Sequence, residues 1–398
     1  MHADQPNIRF PAFKEKWREQ RLGKFFSSSR AKGSDGMPTL SVTLNRGLIN
    51  RDDMDRKTET NLDSHEHLLV REGDIAYNMM RMWQGAFGRS RREGIVSPAY
   101  VVLRPLPSAD SAYFEHAFRR GRSIYLFWAY SYGITNDRLR LYANDFLRIP
   151  FLAPTLPEQR KIAAFLTAVD QRIQQLSQKN ALLLDYKKGV MQQIFTQAIR
   201  FKDDHANMFS DWEEKKLGQV ASFSKGSGIS KADIHEDGGT SCIRYGELYT
   251  DYTELISVVK SKTNIPPKQL VLSLQNDVII PASGETHIDI ARAACVMHDG
   301  VALGGDLNII RTKQNGVFLA YYLNNACKHA IARVAQGSSV VHLYPDQLKI
   351  LSLSLPSLPE QTKIANFLSA LDRKIESVAQ QITHTQAFKQ GLLQQMFV

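Results

Sequence analysis

Cysteine is scarce in this chain. Only Cys242, Cys295 and Cys327 occur among 398 residues. None forms a CxxC pair, so neither a zinc site nor a disulfide framework is encoded, and reduced thiols are expected. Long apolar runs are missing too. The nearest, Ile124 to Tyr130, is far shorter than the ~18 apolar residues of a membrane helix. Met1 to Phe10 has no apolar stretch of the signal-peptide kind. Together these absences predict a cytoplasmic protein with no membrane partner.

Catalytic signatures are equally thin. No GxxxxGK[ST] phosphate loop occurs, and Gly226-Ser-Gly228 lacks the third glycine of a dinucleotide fingerprint. Asn264-Ile-Pro-Pro267 resembles an N-P-P-aromatic motif only superficially, because an Ile intervenes and Lys268 replaces the aromatic. His65-Glu66-His67 is too tightly spaced for a helical zinc pair, and a solvated turn is its ordinary reading. Ser283-Gly284-Glu285-Thr286-His287 lacks the G-x-S-x-G context of a nucleophile. No cluster emerges that could hold a cofactor or a metal, or carry catalysis.

What the chain does have is a repeat. Leu156-Pro157-Glu158-Gln159 returns as Leu358-Pro359-Glu360-Gln361, and 18 of 41 positions are identical between 156–196 and 358–398. The identities include Lys161/Lys363, Ile162/Ile364, Phe165/Phe367, Asp170/Asp372, Lys187/Lys389, Gly189/Gly391 and Phe195/Phe397. Such a period suits a two-fold pseudo-symmetric molecule better than a solenoid. Within each block apolar residues alternate at steps of three and four. The first seam is Ile162, Leu166, Val169, Ile173, Leu176, Leu183, Val190 and Ile194, with Asn180 and Lys187 as its polar members. The second runs Ile364, Leu368, Leu371, Ile375, Val378, Ile382, Thr385, Lys389, Leu392 and Met396. This is the heptad pattern of helices packed knobs-into-holes. Thr155-Leu-Pro-Glu158 and Ser357-Leu-Pro-Glu360 read as capping boxes with proline in the first turn. A helix from Pro157 to Phe195 would extend about 59 Å. If the two helices pair, connectivity requires them to be antiparallel.

The regions preceding the helices are diverged copies. Trp17-x4-Leu22-Gly23 matches Trp212-x4-Leu217-Gly218, Asp74-Ile-Ala-Tyr aligns with Asp277-Val-Ile-Ile, and Leu141-Tyr142 matches Leu343-Tyr344. Short β-rich runs dominate both: Leu40 to Leu44, Ile95 to Leu103, Val271 to Leu274, Val278 to Ile280 and Leu307 to Ile310. One helix is predicted near Ala112–Tyr130 and another near Val317–Val334. The predicted fold class is α/β (α+β), with two globular mixed-sheet domains at 1–154 and 201–356. Two long antiparallel coiled-coil helices at 155–200 and 357–398 separate them, and the whole is pseudo-two-fold symmetric.

Charge and side-chain chemistry favour binding over catalysis. The net charge is +10, with +7 in residues 1–154, +4 in 155–200, −2 in 201–356 and +1 in the remainder. Such a surplus fits a polyanion surface, although many soluble proteins are mildly basic without one. Arg81-Met-Trp83-Gln84-Gly85 runs on to Arg89, Arg91 and Arg92. Arginine forks read guanine edges and glutamine amides read adenine edges. Arg30, Lys32 and Arg46 lie on upstream loops. The second copy offers Lys225, Ser227, Lys231 and Arg244, then Ser283, Thr286 and His287 in the position matching the Arg81 loop. Any one of these alone would ordinarily be a solvated surface residue. Arg119, Arg120 and Arg122 cluster beside a predicted helix and read as contacts to phosphates or to partners.

The duplicated Leu-Pro-Glu-Gln with its following Lys-Ile-Ala-x-Phe-Leu, the Lys187…Gly189…Gln192-Gln193-x-Phe195 ending with its twin, and the Trp-x4-Leu-Gly openings resemble the specificity subunit of Type I restriction-modification enzymes. The resemblance covers essentially the whole chain. It implies two target-recognition domains, each reading one half of a split double-stranded DNA site, and spacer helices that also dock two modification (methyltransferase) subunits. It implies no active site in this chain. S-adenosylmethionine would serve the modification subunits, and ATP and Mg the restriction (translocase/endonuclease) subunits. Two other classes stay open at this point: an unfamiliar DNA-modifying enzyme, against which the missing motifs speak, and a coiled-coil scaffold that never touches DNA, which would leave the basic first region unexplained.

Overall fold

The computed structural model describes residues 5–54, 62–135, 138–337 and 340–398. The chain divides into two compact units, one of Met1–Gln178 with Ala379–Val398 and one of Lys179–Val378.

In the first unit the central sheet orders Phe26–Ser29, Tyr100–Pro105, Ile75–Asn78 and Phe87–Arg89, every neighbour antiparallel. Alternation along its strands sorts the side chains. Ile75, Tyr77, Val101 and Leu103 face an aromatic core with Phe114, Phe118, Phe127 and Phe146, whereas Ala76 and Val102 face Leu40, Leu68 and Val96. The second unit repeats the plan. Ala221–Lys225, Leu307–Thr312, Asp277–Pro281 and Ala294–Val296 are antiparallel neighbours, with Leu255–Ile256 added in parallel at the edge. Val278, Ile280 and Ile310 face one core, and Ile279 and Ile309 the other. Both sheets are therefore buried on two faces, which is why their strands read as continuous apolar runs. Asp74 and Asp277 mark equivalent strand starts. Each is buried and bound to an arginine on the neighbouring strand, Arg104 at 3.1 Å and Arg311 at 2.7 Å.

The long helices are Leu156–Phe195 and Leu358–Gln395. All the predicted seam positions are buried or half-buried, and most intervening ones are exposed. Inside each unit the start of one helix packs beside the end of the other, so the pairing is antiparallel. Ile162 and Leu166 share a core with Leu392 and Met396, and Ile364 and Leu368 share one with Val190 and Ile194. The repeated charges pair reciprocally. Lys389 binds Asp170 at 2.5 Å in the first unit, and Lys187 binds Asp372 at 2.7 Å in the second. The polar seam position Lys187 is thus an interhelical ion-pair site that also reaches Glu254 at 3.4 Å.

The repeated Glu-Gln explains itself here. Glu158 is 1% exposed and takes two bonds from the Arg9 guanidinium, at 2.6 and 2.7 Å, plus one from Trp17 Nε1 at 3.4 Å. Glu360 takes the equivalent pair from Arg200, at 3.3 and 2.9 Å. Hydrogen bonding to these carboxylates holds both guanidinium pKa values above the usual arginine value. Gln159 and Gln361 donate to the carbonyls of Pro154 and Pro356, each at 2.9 Å. They also accept from the backbone N–H of Asp110 at 2.9 Å and Asn315 at 3.0 Å. Those two residues are the N-caps of the short helices Ser111–Ala117 and Gly316–Asn324. Each Glu-Gln therefore fastens a long helix to the leading segment and to the helix beneath its sheet.

Four local expectations change. The glutamates turn sideways to arginines rather than back to a capping box, and the Ser357 hydroxyl has no partner. Each single predicted helix is two: Ser111–Ala117 with Gly121–Ala129, and Gly316–Asn324 with Lys328–Val334. In the first pair the Ser123 hydroxyl takes the Ala117 carbonyl at 2.7 Å and stops the turn. The run Ile95 to Leu103 is two strands, Gly94–Val96 and Tyr100–Pro105, separated around Pro98, which has no N–H for a ladder. Val271 to Leu274 is not a strand but a single bridge, Leu272 to Ala302, with Ser227 Oγ accepting from Val271 N–H and Asp277 from Leu274 N–H on either side.

Removing one partner of a buried ion pair costs about 3–5 kcal/mol. Glu360→Gln removes the buried charge facing Arg200 but leaves Arg200 its bonds to Asp211 and to the Phe209 and Ser210 carbonyls. It should therefore lower the unfolding free energy of the second unit by roughly 3 kcal/mol at most, read as a fall in urea midpoint. A second expectation concerns His116, buried beside Asp170 at 4.0 Å. Burial lowers its pKa, partly opposed by Asp170. The unfolded imidazole, titrating near ~6.5, binds its proton more readily than the folded one. Stability from this site is then whole above that pH and lost as pH falls below it. His116→Gln should flatten this part of the first unit's stability profile.

Candidate nucleic-acid interface

The Arg81 loop is a rigid hairpin tip. It joins Ile75–Asn78 to Phe87–Arg89 through a single 3-10 turn, Met82–Gln84. Met82 is fully buried and anchors the turn. Trp83 Nε1 donates to the Met80 carbonyl at 3.0 Å, and the Arg81 carbonyl accepts from the N–H groups of Gln84 and Ala86. Gly85 sits at φ 91°, a conformation few side chains tolerate. This packing leaves Arg81 and Gln84 exposed on a fixed turn.

The neighbouring arginines are used differently. Arg89 lies on a strand, not in the loop, and binds Glu115 at 3.4 Å, which Arg91 also holds at 2.9 Å. Burial pushes the Glu115 carboxyl pKa up, against the pull of Arg91 and Arg119. Arg89 is consequently a positioning residue, while Arg92 is exposed. Arg120 faces inward. Its guanidinium binds the Val398 main-chain oxygen and lies 5.5 Å over the Phe397 ring, so it serves the first unit's packing. Arg119 lies 5.0 Å over Phe87.

Arg30 and Lys32 meet in a groove of about 820 Å³ that also includes Arg148, Asn144, Tyr100 and Tyr142. Three cations, an amide and two phenols in one cleft suit a phosphate backbone with exposed bases. Asp145 is its acidic wall. Sequence reasoning missed Asn144 and Arg148, which lie on the short helix Ala143–Arg148 just after the repeated Leu-Tyr. That landmark was the available signal. Arg46 is separate, on the turn between Leu40–Thr43 and Gly47–Asn50, where it donates to the Asp53 carbonyl at 3.1 Å.

The second unit gathers its candidates less tightly. Ser283 forms a short strand with Val341–His342, and its hydroxyl lies 3.3 Å from His342 Nδ1. It lines a cleft of about 500 Å³ with Tyr245, Tyr249, Glu285, Asp289 and Arg292. Thr286 is turned to Asp289 at 2.6 Å, and His287 is exposed. Arg244 is held by buried Glu247 at 3.2 Å and lines a different cleft, of about 370 Å³, with Ser230 and Asp306. Lys225 stands 5.3 Å over the Tyr344 ring, Lys231 is exposed, and Ser227 accepts from Val271 N–H at 3.1 Å.

Burial raises the thiol pKa of Cys242 to about 11 and of Cys295 and Cys327 to about 12, so none is a ready thiolate. Among the described residues no group of three His, Cys, Asp or Glu side chains could hold a metal ion, and no helix is long and apolar enough to cross a membrane.

Residues 209–384 match the family model of the Type I restriction modification DNA specificity domain. The type I restriction enzyme MjaVIII specificity subunit of Methanocaldococcus jannaschii is 23% identical over 336 residues, covering 79% of this chain and 75% of that one. Among solved structures, the Type-I restriction-modification system S subunit from M. genitalium superposes with a TM-score of 0.60 at 14% identity, over 99% of both chains. A chain from a study of complex assembly and conformational transition of the type I R-M system gives 0.51 at 17%, over 96% and 97%. Both are likenesses of fold. Residues 209–384 thus match a Type I restriction modification DNA specificity domain, and the chain is similar over most of its length to a type I restriction enzyme specificity subunit.

Proposed function

We propose that this chain is the DNA sequence-specificity subunit of a type I restriction-modification complex. In this reading each unit recognises one half of a bipartite duplex site, and the paired long helices set the gap. The helices also dock two methyltransferase subunits, with restriction subunits joining through them. The chain itself is non-catalytic and works in the cytoplasm. S-adenosylmethionine, ATP and Mg would be bound by partner subunits. The observation that carries the reading is one scaffold built twice with different exposed chemistry. Asp74/Asp277, Glu158/Glu360 and Gln159/Gln361 keep the same partners in both units. The loops at equivalent strand ends instead present Arg81 and Gln84 in one unit and Ser283 and His287 in the other.

Mapping methylated bases in cells that carry the intact system tests this directly. The expected result is a split motif with unread pairs in the gap; a continuous motif, or none, would overturn the reading. Arg81→Ala should relax one half of that motif and leave the other unchanged, since a bidentate base contact is worth about 1–3 kcal/mol of discrimination. Arg89→Ala should instead act through Glu115, lowering stability along with activity. The helices are 40 and 38 residues long. Adding a heptad after Leu176 and another after Val378 should widen the gap while both half-sites stay the same, as the same methylation maps would record.

A further inference from the structure

From Trp17 to Gly33 and from Trp212 to Gly228 the two units run in step without a gap. Strand pairing gives the same register. Ser27 stands opposite Arg104 and Ser222 opposite Arg311, the arginines that hold Asp74 and Asp277. Three residues on, the same place carries Arg30 in one unit and Lys225 in the other, both exposed. Two residues further come Lys32 and Ser227, and both are occupied. Lys32 Nζ donates to the Glu66 carbonyl at 2.8 Å, and Ser227 Oγ accepts from Val271 N–H at 3.1 Å. Among the described residues no carboxylate forms an ion pair with Arg30 or Lys225. Arg30 lines the groove of about 820 Å³, and Lys225 stands over the Tyr344 ring.

Each cation meets the same second residue. The repeated Leu-Tyr returns the chain to the sheet. Leu141 and Leu343 are fully buried, and their N–H groups donate to the Met79 and Ala282 carbonyls at 2.9 and 3.0 Å. Packing explains the leucines but not the tyrosines that follow them. Tyr142 is 45% exposed and Tyr344 43%, and neither belongs to a core cluster. Tyr142 lines the same groove as Arg30, and the Lys225 ammonium lies 5.3 Å from the centre of the Tyr344 ring. One exposed cation beside an exposed phenol would be an ordinary surface feature. Here it is built twice, at equivalent places.

We propose that Arg30 with Tyr142, and Lys225 with Tyr344, are two copies of one sequence-blind anchor, each gripping a phosphate of the DNA duplex at its half-site. This rests on the function proposed above. The residues offered to base edges differ between the units, Arg81 and Gln84 against Ser283 and His287, as two different half-sites require. The phosphate backbone is the part of the ligand that is the same in both halves. Arginine, lysine and tyrosine side chains are among its usual donors, and such contacts fix register without reading sequence. An exposed pair that persists while the loops around it diverge fits that common part.

The test uses the intact complex with its modification subunits, a duplex carrying the motif obtained from methylation mapping, and a scrambled duplex. Both cations are exposed, so Arg30→Gln and Lys225→Gln leave packing untouched. Each should weaken binding to both duplexes by the same factor, about tenfold for one charge-assisted contact. Each should also flatten the slope of log affinity against log salt by about 0.9, with the methylated motif unchanged. Tyr142→Phe and Tyr344→Phe should weaken binding less, again uniformly, and leave the slope alone. A neutral methylphosphonate moved singly along each half-site should reveal one phosphate whose loss weakens the wild type but not the matching glutamine variant any further. If both glutamine variants keep wild-type affinity and slope while Arg81→Ala still alters the first half-site, the pairs are not anchors and the specificity function stands. A changed base preference in either glutamine variant would make that residue a reader of sequence and refute the anchor. If the wild-type complex ignores both duplexes, the functional reading falls and the anchor with it.

Discussion

The structure depends on two adjacent buried polar side chains at the start of each long helix. A carboxylate with almost no solvent must be paired, and Glu158 and Glu360 find Arg9 and Arg200. A buried amide must satisfy both of its ends, and Gln159 and Gln361 do so between the proline carbonyl before the helix and the N-cap of another helix. Neither requirement can be met unless leading segment, sheet-packed helix and long helix occupy one arrangement. The pair therefore specifies geometry more than it adds stability, as buried polar groups can do in other proteins.

A second fastening lies about three turns along. Asp170 meets Lys389 and His116, and Asp372 meets Lys187 and the Tyr321 hydroxyl at 2.5 Å. His116 and Tyr321 stand six residues after their respective N-caps, Asp110 and Asn315, on the same short helix of each unit. A single repeated aspartate thus links the partner helix and the globular part in both copies. These links lie on the helix face, away from the strand ends. The strand ends are free to diverge, which allows one scaffold to present arginine and glutamine in one unit and serine and histidine in the other.

The exposed chemistry differs between two copies of one packed base. Arg81 rests on a turn fixed by buried Met82, Gly85 and the Trp83 indole. Arg89 and Arg91 grip Glu115 on the helix beneath. Of three arginines close in sequence, one points outward and two take part in holding the loop's support. The first unit gathers Arg30, Lys32 and Arg148 in one groove, whereas the second divides Arg244 and Ser283 between two clefts. The slightly negative net charge of residues 201–356 has its structural counterpart in that division.

The sequence by itself determined the helices and their pairing. A 3/4 apolar period over some forty residues has one economical outcome, and connectivity leaves only the antiparallel arrangement. It also determined the duplication and the core strands, because Asp74 and Asp277 open short unbroken apolar runs, the pattern of strands buried on both faces. Tertiary structure decided what the repeated polar residues do. Glu158 and Glu360 have the spacing of capping boxes, yet their partners come from more than 100 residues away in sequence, a choice that local spacing does not encode. It also decided which arginines are available. Arg81, Arg89 and Arg120 are alike as residue types, and only the positions of Glu115 and Val398 separate the outward one from the two held inside. Ion pairs form between groups brought close by folding, so their pattern becomes legible only when the chain is packed.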